Sequence, residues 1–114
     1  MKIFRKKDNE FSGVIFGLQG EYKDAIIRLY RDELISVGRD PKTSHIVFSE
    51  SNVHVSRNHC TIRCNGLDDT YTVCDHSSNG TFVNGTRLEH DTDVVVPSGS
   101  VIAIGDMENT FRLG

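Results

Sequence analysis

Five residues near the middle of the chain are of types that bind anions and peptide backbones. Arg39 offers a planar fork of N–H donors that fits phosphate or carboxylate, and Arg57 adds a second cation. Ser56 and Ser78 each offer a hydroxyl donor, and the side-chain amide of Asn79 can pair with a peptide main chain. If their loops converge, these groups would form a small anion pocket beside a peptide-binding amide.

These residues belong to short stretches that could each be structurally ordinary. The stretches are Gly38-Arg39, Ser56-Arg57-Asn58-His59, Asn79-Gly80-Thr81 and Asn84-Gly85. Taken singly, they fit a solvated surface arginine, a loop-capping serine and two tight turns, in which glycine supplies positive φ. Their order and spacing together, rather than any one of them, indicate a binding site.

Strands are the elements that must position these residues, because helical periodicity is nearly absent. Short apolar segments lie at 14–18, 25–29, 34–37, 46–48, 60–64, 71–74, 81–83, 86–88, 94–96, 101–104 and 110–113. In the first of them, alternation places Val14, Phe16 and Leu18 on one face. Turn residues recur roughly every 8–12 residues, which predicts an all-β sandwich or barrel. The longest stretch with little strand character, 39–58, is expected to be functional.

Length and charge limit the classes of protein. The chain has 114 residues, a formal net charge of −3 and 25% charged residues, which suits one folded domain over 11–114 behind a frayed segment at 1–10. A basic excess is missing, so we expect no nucleic-acid partner. No apolar run approaches the ~20 residues of a membrane span, so none is expected.

The chain has three cysteines, an odd number and too few for a disulfide scaffold, which favours a reducing, cytoplasm-like compartment. Cys60 and Cys64 share one face of a predicted strand, and Cys74 lies in its predicted hairpin partner. No two of them form a C-x₂-C pair. We therefore expect them in or near the core rather than around a metal, and we expect no cofactor.

The combined motifs resemble those of the forkhead-associated (FHA) domain, a phosphothreonine-peptide-binding β-sandwich. The family pattern of Gly-Arg, Ser-x-x-His, Asn-Gly-Thr and Asn-Gly is matched in order at Gly38, Ser56, Asn79 and Asn84, respectively. The resemblance covers about Val14 to Leu113. It implies an eleven-stranded sandwich of two twisted, mainly antiparallel sheets, with the peptide bound by the loops after the third, fourth and sixth strands.

The resemblance also implies a role for each matched residue. Arg39, Ser56, Arg57 and Ser78 would bind the phosphate, and Asn79 would pair with the peptide backbone after the phosphothreonine. Six residues would be architectural: Gly38, His59, Gly80, Thr81, Asn84 and Gly85. Of these, His59 would brace the loop that carries Ser56, and His54 is a weaker candidate for contacting a side chain further along the peptide.

The implied function is recognition of phosphothreonine proteins downstream of a Ser/Thr kinase. The partner would be that kinase or its substrate, and the module would be monomeric and cytoplasmic, or nuclear if the source is eukaryotic. Two alternatives stay open. One is an enzyme, although the neighbouring Asp75, His76 and Ser77 should point apart. The other is a phosphate-independent module that binds partners through a sheet face.

Overall fold

The structure, a computed structural model, describes residues 11–114 of the chain. The prediction of a frayed segment at 1–10 lies outside these residues. The strands are β1 (Phe11–Gln19), β2 (Ile26–Tyr30), β3 (Leu34–Gly38), β4 (Ile46–Val47), β5 (Cys60–Asn65), β6 (Thr70–Asp75), β7 (Thr81–Val83), β8 (Thr86–Arg87), β9 (Asp93–Pro97), β10 (Ser100–Ile104) and β11 (Thr110–Leu113). The predicted all-β sandwich of eleven strands is confirmed.

The strands form two sheets. The first has six strands in the order β2-β1-β11-β10-β7-β8, and the second has five in the order β4-β3-β5-β6-β9. Among the pairs within these sheets, β3 and β4 run parallel and the others run antiparallel. The first and last described strands are neighbours, with Ile15 opposite Leu113.

The core is apolar and fills the space between the sheets. Its largest fully buried side chains include Phe48, Phe111 and Ile15. The Phe48 and Phe111 rings meet edge to face, with centroids 6.2 Å apart, an arrangement that the quadrupoles of aromatic rings favour. Phe48 follows β4 directly, so burial of its ring fixes the start of the β4–β5 loop against the core.

Strand register brings several loops to the same end of the sandwich. Val37 at the end of β3 and Asp75 at the end of β6 both pair with Cys60 at the start of β5. Ile104 at the end of β10 pairs with Thr81 at the start of β7. The loops 39–45, 48–59, 76–80 and 105–109 therefore lie together, and we call this the apical end. The short turns 31–33, 66–69 and 98–99 form the opposite, basal end.

Two further sequence-based expectations concern the cysteines and the membrane. Cys60, Cys64 and Cys74 are free and buried, as predicted. Burial raises the pKa of the Cys60 thiol to about 12, although a hydrogen bond with Thr81 opposes the rise. Within the described part of the chain, no helix has the length and apolar character needed to cross a membrane.

Candidate functional site

Arg39 begins the β3–β4 loop and lies against the end of the β4–β5 loop. Its backbone N–H donates to the carbonyl of Ser56 at 3.1 Å, and its side-chain Nε donates to the carbonyl of Val55. The side chain is 21% exposed, so the guanidinium is held in place with its free N–H groups at the surface. Gly38 permits this approach, because a Cβ there would lie 2.0 Å from the carbonyl oxygen of Arg57.

His59 joins the two loops that carry the predicted serines. The ring is fully buried; its Nδ1 accepts from the backbone N–H of Ser56 at 2.9 Å, and its Nε2 lies 2.9 Å from the carbonyl oxygen of Gly80. A carbonyl can only accept, so Nε2 carries the proton. Burial lowers the pKa of His59, against the opposing effects of the Gly80 carbonyl and the Asp75 charge. The neutral imidazole is therefore a bracing group.

Ser56, Ser78 and Asn79 lie next to one another at the apical end. The backbone N–H of Ser78 donates to Ser56 Oγ at 3.2 Å, which leaves the hydroxyl hydrogen of Ser56 available to an anion. Asn79 Nδ2 donates to the carbonyl of His54 at 3.1 Å. Within residues 11–114, neither the Ser78 hydroxyl nor Asn79 Oδ1 has a hydrogen-bond partner, so both can serve a bound peptide.

Asp75 supports the β6–β7 loop from below, a role that the sequence reasoning missed. Its carboxylate is 1% exposed and accepts hydrogen bonds from Ser77 Oγ at 2.6 Å and Thr81 Oγ1 at 2.8 Å. Burial alone would raise the pKa of Asp75, but the hydrogen bonds from Ser77, Thr81 and His90 outweigh it and the pKa is lowered. Ser77 Oγ in turn accepts from the N–H of Gly80 at 2.8 Å. The Asp-x-Ser turn pattern at the strand end was the available signal.

Glu50 is a second residue that the sequence reasoning missed. Its Oε2 lies 3.5 Å from Arg39 Nη1, and its Oε1 lies 3.4 Å from Arg57 Nη1. Arg57 is 55% exposed and also lies 3.6 Å from Asp40 Oδ1. The two predicted arginines thus share one carboxylate, which shows that a single anion can contact both.

Arg87 also braces the β6–β7 loop, and no sequence motif singled it out. Its Nη2 donates to the carbonyl of Ser78 at 3.2 Å, across the positive-φ turn at Gly80. Asn84 and Gly85 lie at the other end of β7, where both have positive φ and Asn84 Oδ1 accepts from the N–H of Val101 at 2.9 Å. The structure therefore places Asn84 and Gly85 in a hairpin turn and outside the cluster of apical residues.

His54 lies at the apical end, between Asn79 and the β10–β11 loop. Its ring is 60% exposed, and its Nδ1 lies 2.9 Å from Asp106 Oδ2. Gly105 packs against the backbone of His54, since a Cβ at Gly105 would lie 2.3 Å from the His54 carbonyl oxygen. The imidazole is thus held beside the amide predicted to bind the peptide backbone.

The residues considered for an enzyme do not combine into a catalytic chain, although the side chains of Asp75 and Ser77 meet rather than point apart. Ser77 Oγ pairs with Asp75, whereas His76 Nδ1 pairs with Asp91 Oδ1 at 2.7 Å. His59 contacts the backbone N–H of Ser56. Neither arrangement joins a serine hydroxyl to a histidine as a nucleophile and its base. Across the described residues, no group of three or more His, Cys, Asp or Glu side chains is arranged to hold a metal ion.

Comparisons with known proteins agree with this architecture. The family model of the FHA domain matches residues 35–105, which span the three apical loops of the site. The chain is 33% identical over 81 residues to the E3 ubiquitin-protein ligase rnf8 of Danio rerio, covering 69% of this chain and 16% of that protein. It is 29% identical over 99 residues to the meiosis-specific serine/threonine-protein kinase MEK1 of Saccharomyces cerevisiae, covering 82% of this chain and 20% of the kinase.

Solved structures share the fold. The crystal structure of the MEK1 FHA domain superimposes with a TM-score of 0.79 at 21% identity, over 99% of this chain and 98% of that one. A crystal structure of the same domain in complex with a HOP1 phosphothreonine peptide gives 0.74 at 23% identity, over 91% of this chain and 96% of that one. The motif order, the apical loops and the family match agree, and the chain belongs to the FHA domain family.

Proposed function

We propose that this domain binds phosphothreonine peptides at its apical end and acts in signalling downstream of a Ser/Thr kinase. The observation that carries the proposal is the convergence of Arg39, Ser56, Ser78 and Asn79 on loops tied together through His59. The MEK1 domain with this fold is known in complex with a phosphothreonine peptide, which supports the assignment.

In this proposal, Arg39 and Arg57 carry the charge interaction with the phosphate. A phosphothreonine has about −1.5 to −2 charges at pH 7 and three acceptor oxygens. Ser56 and Ser78 donate hydroxyl hydrogen bonds to those oxygens. Each hydrogen bond to a charged group contributes roughly 1.5–3 kcal/mol. Three or four of them would supply much of the ~8 kcal/mol that micromolar binding needs.

Asn79 and His54 would read the peptide beyond the phosphate. The free Oδ1 of Asn79 would accept from a peptide N–H, and the remaining N–H of its amide would donate to a peptide carbonyl. The imidazole of His54, fixed by Asp106, would contact a peptide side chain further along. A screen of an oriented phosphothreonine peptide library would give the preferred side chains, and a His54→Ala variant would change the preference at one position only.

A titration with matched peptides tests the proposal most directly. Isothermal titration calorimetry would compare one sequence carrying threonine, phosphothreonine or phosphoserine at the same position. We expect binding only with phosphate, and about fourfold tighter binding of phosphothreonine than phosphoserine, the equivalent of one buried methyl group at ~0.8 kcal/mol. Equal affinity for threonine and phosphothreonine would instead favour a phosphate-independent interaction module.

The proposal extends to the state and location of the domain. We infer a monomeric, non-enzymatic module that uses no cofactor, in the cytoplasm, or in the nucleus if the source is eukaryotic. The three free, buried thiols support a reducing compartment. A single phosphate on a protein, rather than nucleic acid, fits a pocket of two arginines on a chain of net charge −3. Light scattering tests the monomeric state, imaging of the tagged protein tests its location, and an assay for hydrolysis tests for enzymatic activity.

A further inference from the structure

The proposed phosphate pocket already contains an anion of the chain itself. Glu50 places one carboxylate oxygen 3.5 Å from Arg39 Nη1 and the other 3.4 Å from Arg57 Nη1. Its backbone carbonyl lies 3.4 Å from the same Nη1 atom of Arg39. A guanidinium binds carboxylate and phosphate through the same fork of donors. Glu50 and a phosphate would therefore compete for the same two arginines.

Hydrogen bonds on both sides of Glu50 hold the backbone of its turn, which keeps the side chain within reach of the two arginines. The backbone N–H of Ser49 donates to the carboxylate of Glu21 at 2.9 Å, and the hydroxyls of Ser49 and Ser51 lie 2.8 Å apart. The N–H of Asn52 closes the turn by donating to the Ser49 carbonyl at 3.0 Å. These contacts hold the backbone while leaving the Glu50 side chain 69% exposed.

This exposure makes the contact reversible. Ion pairs between exposed side chains are weak, and those of Glu50 are long at 3.4–3.5 Å. A phosphothreonine has nearly twice the charge of a carboxylate and one more oxygen, so it can displace Glu50. Arg57 would keep its contact with Asp40 during the exchange, because Asp40 lies beside Nη2 of the guanidinium whereas Glu50 lies beside Nη1.

We propose that Glu50 is an internal competitor that occupies Arg39 and Arg57 in the free domain and lowers the affinity of the site for every anionic peptide. This inference rests on the proposed function. Competition reduces the affinity of the site for all anionic ligands by the same factor, so it does not alter the order of their affinities. It instead moves weak carboxylate-bearing peptides out of the range of binding while phosphothreonine peptides stay within it.

The substitution Glu50→Gln tests the competition, because glutamine keeps the shape of the side chain and removes its charge. Glu108→Gln is the matched control: it removes the same charge from an exposed position on the β10–β11 loop, and within residues 11–114 that side chain contacts neither arginine. Calorimetry would use three peptides of one sequence, with phosphothreonine, glutamate or unmodified threonine at the central position.

The expected result is a pattern across peptides rather than a single change. Glu50→Gln should bind the phosphothreonine and glutamate peptides roughly three- to tenfold more tightly, by the same factor for both, as loss of two exposed ion pairs predicts. Binding of the threonine peptide should not change, and Glu108→Gln should shift the affinities less than twofold. In an Arg39→Ala background the gain should largely vanish, because the competitor has lost one partner.

Different outcomes of these titrations would contradict the competition and the proposed function separately. If the natural sequence binds the phosphothreonine peptide and Glu50→Gln binds it equally or more weakly, Glu50 orders the arginines and competition is wrong. If Glu50→Gln and Glu108→Gln give equal gains, the effect is general charge and competition is again wrong. If neither the natural sequence nor Glu50→Gln binds the phosphothreonine peptide, the proposed function itself fails.

Discussion

Both ends of the sandwich carry charged side chains of both signs, but the two ends differ in what lies beneath them. The basal turns contain arginine and aspartate residues such as Arg31, Asp32 and Asp68, and they join neighbouring strands by short connections. The apical end has long loops over buried polar groups, with His59 and Asp75 at 0% and 1% exposure. Charged side chains on the surface therefore do not distinguish the two ends, whereas a buried side chain that hydrogen-bonds one loop to another, as His59 does, distinguishes the apical end.

This difference has a physical reason. A buried polar group costs free energy unless it is hydrogen-bonded, so it is retained where its bonds hold something in place. Among the described residues, no buried side-chain nitrogen or oxygen lacks a partner. At the apical end these bonds connect the β4–β5 loop to the β6–β7 loop, which preorganises Ser56 and Ser78. The side-chain hydrogen bonds of the basal turns are local instead: Glu33 accepts from the N–H of Tyr30, and the buried hydroxyl of Ser100 donates to the carbonyl of Pro97, each within one turn.

The largest expected effect is the loss of Arg39. Arg39→Ala should weaken phosphothreonine-peptide binding by at least about 100-fold, because two charge-assisted hydrogen bonds at about 1.5–3 kcal/mol each are removed. Arg63→Ala takes an exposed arginine from a strand whose following turn is basal and should leave the affinity unchanged. Calorimetry on both variants, with thermal midpoints as a check of folding, decides whether the ends differ. Similar affinities for the two variants would remove the distinction.

A matched pair of glycine substitutions should separate binding from stability. Gly38→Ala would place a Cβ 2.0 Å from the Arg57 carbonyl oxygen and should cost about 1–3 kcal/mol of folding free energy while displacing Arg57. Gly99→Ala, at the basal end, meets open space at φ +94° and should cost about 1–2 kcal/mol through backbone strain alone. Urea unfolding measures both costs. Only Gly38→Ala should also weaken peptide binding; retention of full affinity by that variant would show that the close approach does not serve the site.

The buried imidazole should make stability depend on pH. Burial lowers the pKa of His59 in the folded state from an ordinary value of 6.5. Between the lowered pKa of the folded state and 6.5, the unfolded chain binds a proton that the folded chain does not. The contribution of His59 to the free energy of unfolding is therefore complete above about pH 6.5 and is lost as the pH falls, by up to about 1.4 kcal/mol per pH unit. Asp75 affects stability only at lower pH, because its pKa in the folded state is lowered from the ordinary value of 3.8. Urea unfolding between pH 7 and 5 measures the slope.

The control for this slope is a change at an exposed histidine. His59→Asn should abolish the loss of stability between pH 7 and 5 that is due to the buried ring. His76→Asn changes a side chain that is 39% exposed and should leave that loss of stability in place. An unchanged slope in His59→Asn would mean that other groups set the pH dependence. It would also weaken the argument that the neutral ring is what holds the apical loops together.

Features that depend on local sequence could be predicted from the residues alone. Alternation and turn residues are local, so the all-β class and nearly every strand were found; the motif order of the resemblance then gave the strand number and the loops of the site. The face of β1 shows the limit of alternation. Val14 and Phe16 are half-buried, whereas Ile15 between them is fully buried; at Leu18, which is 40% exposed, a register shift between Gly17 and Gln19 interrupts the alternation. When both faces of a strand carry apolar groups, the sequence does not say which one meets the second sheet.

The parts of the site that were missed depend on contacts between distant segments. The bond from His59 to the Gly80 carbonyl and that from Ser78 to Ser56 each join residues more than twenty positions apart, so no spacing rule predicts their partners. Glu50 was missed for another reason. An exposed glutamate on a polar loop is ordinary, and only the direction of its side chain shows that it meets Arg39 and Arg57.

The smallest expected effect ranks the two arginines by exposure. Arg57 is 55% exposed and Arg39 is 21% exposed, so solvent screens the charge of Arg57 more strongly. Arg57→Ala should weaken phosphothreonine-peptide binding by about three- to tenfold and reduce its dependence on salt. Titrations at low and high salt, beside Arg63→Ala, measure both changes. A loss as large as that of Arg39→Ala would show that the two arginines share the phosphate equally, because a more exposed and more strongly screened cation cannot otherwise match one that the loop backbone holds in place.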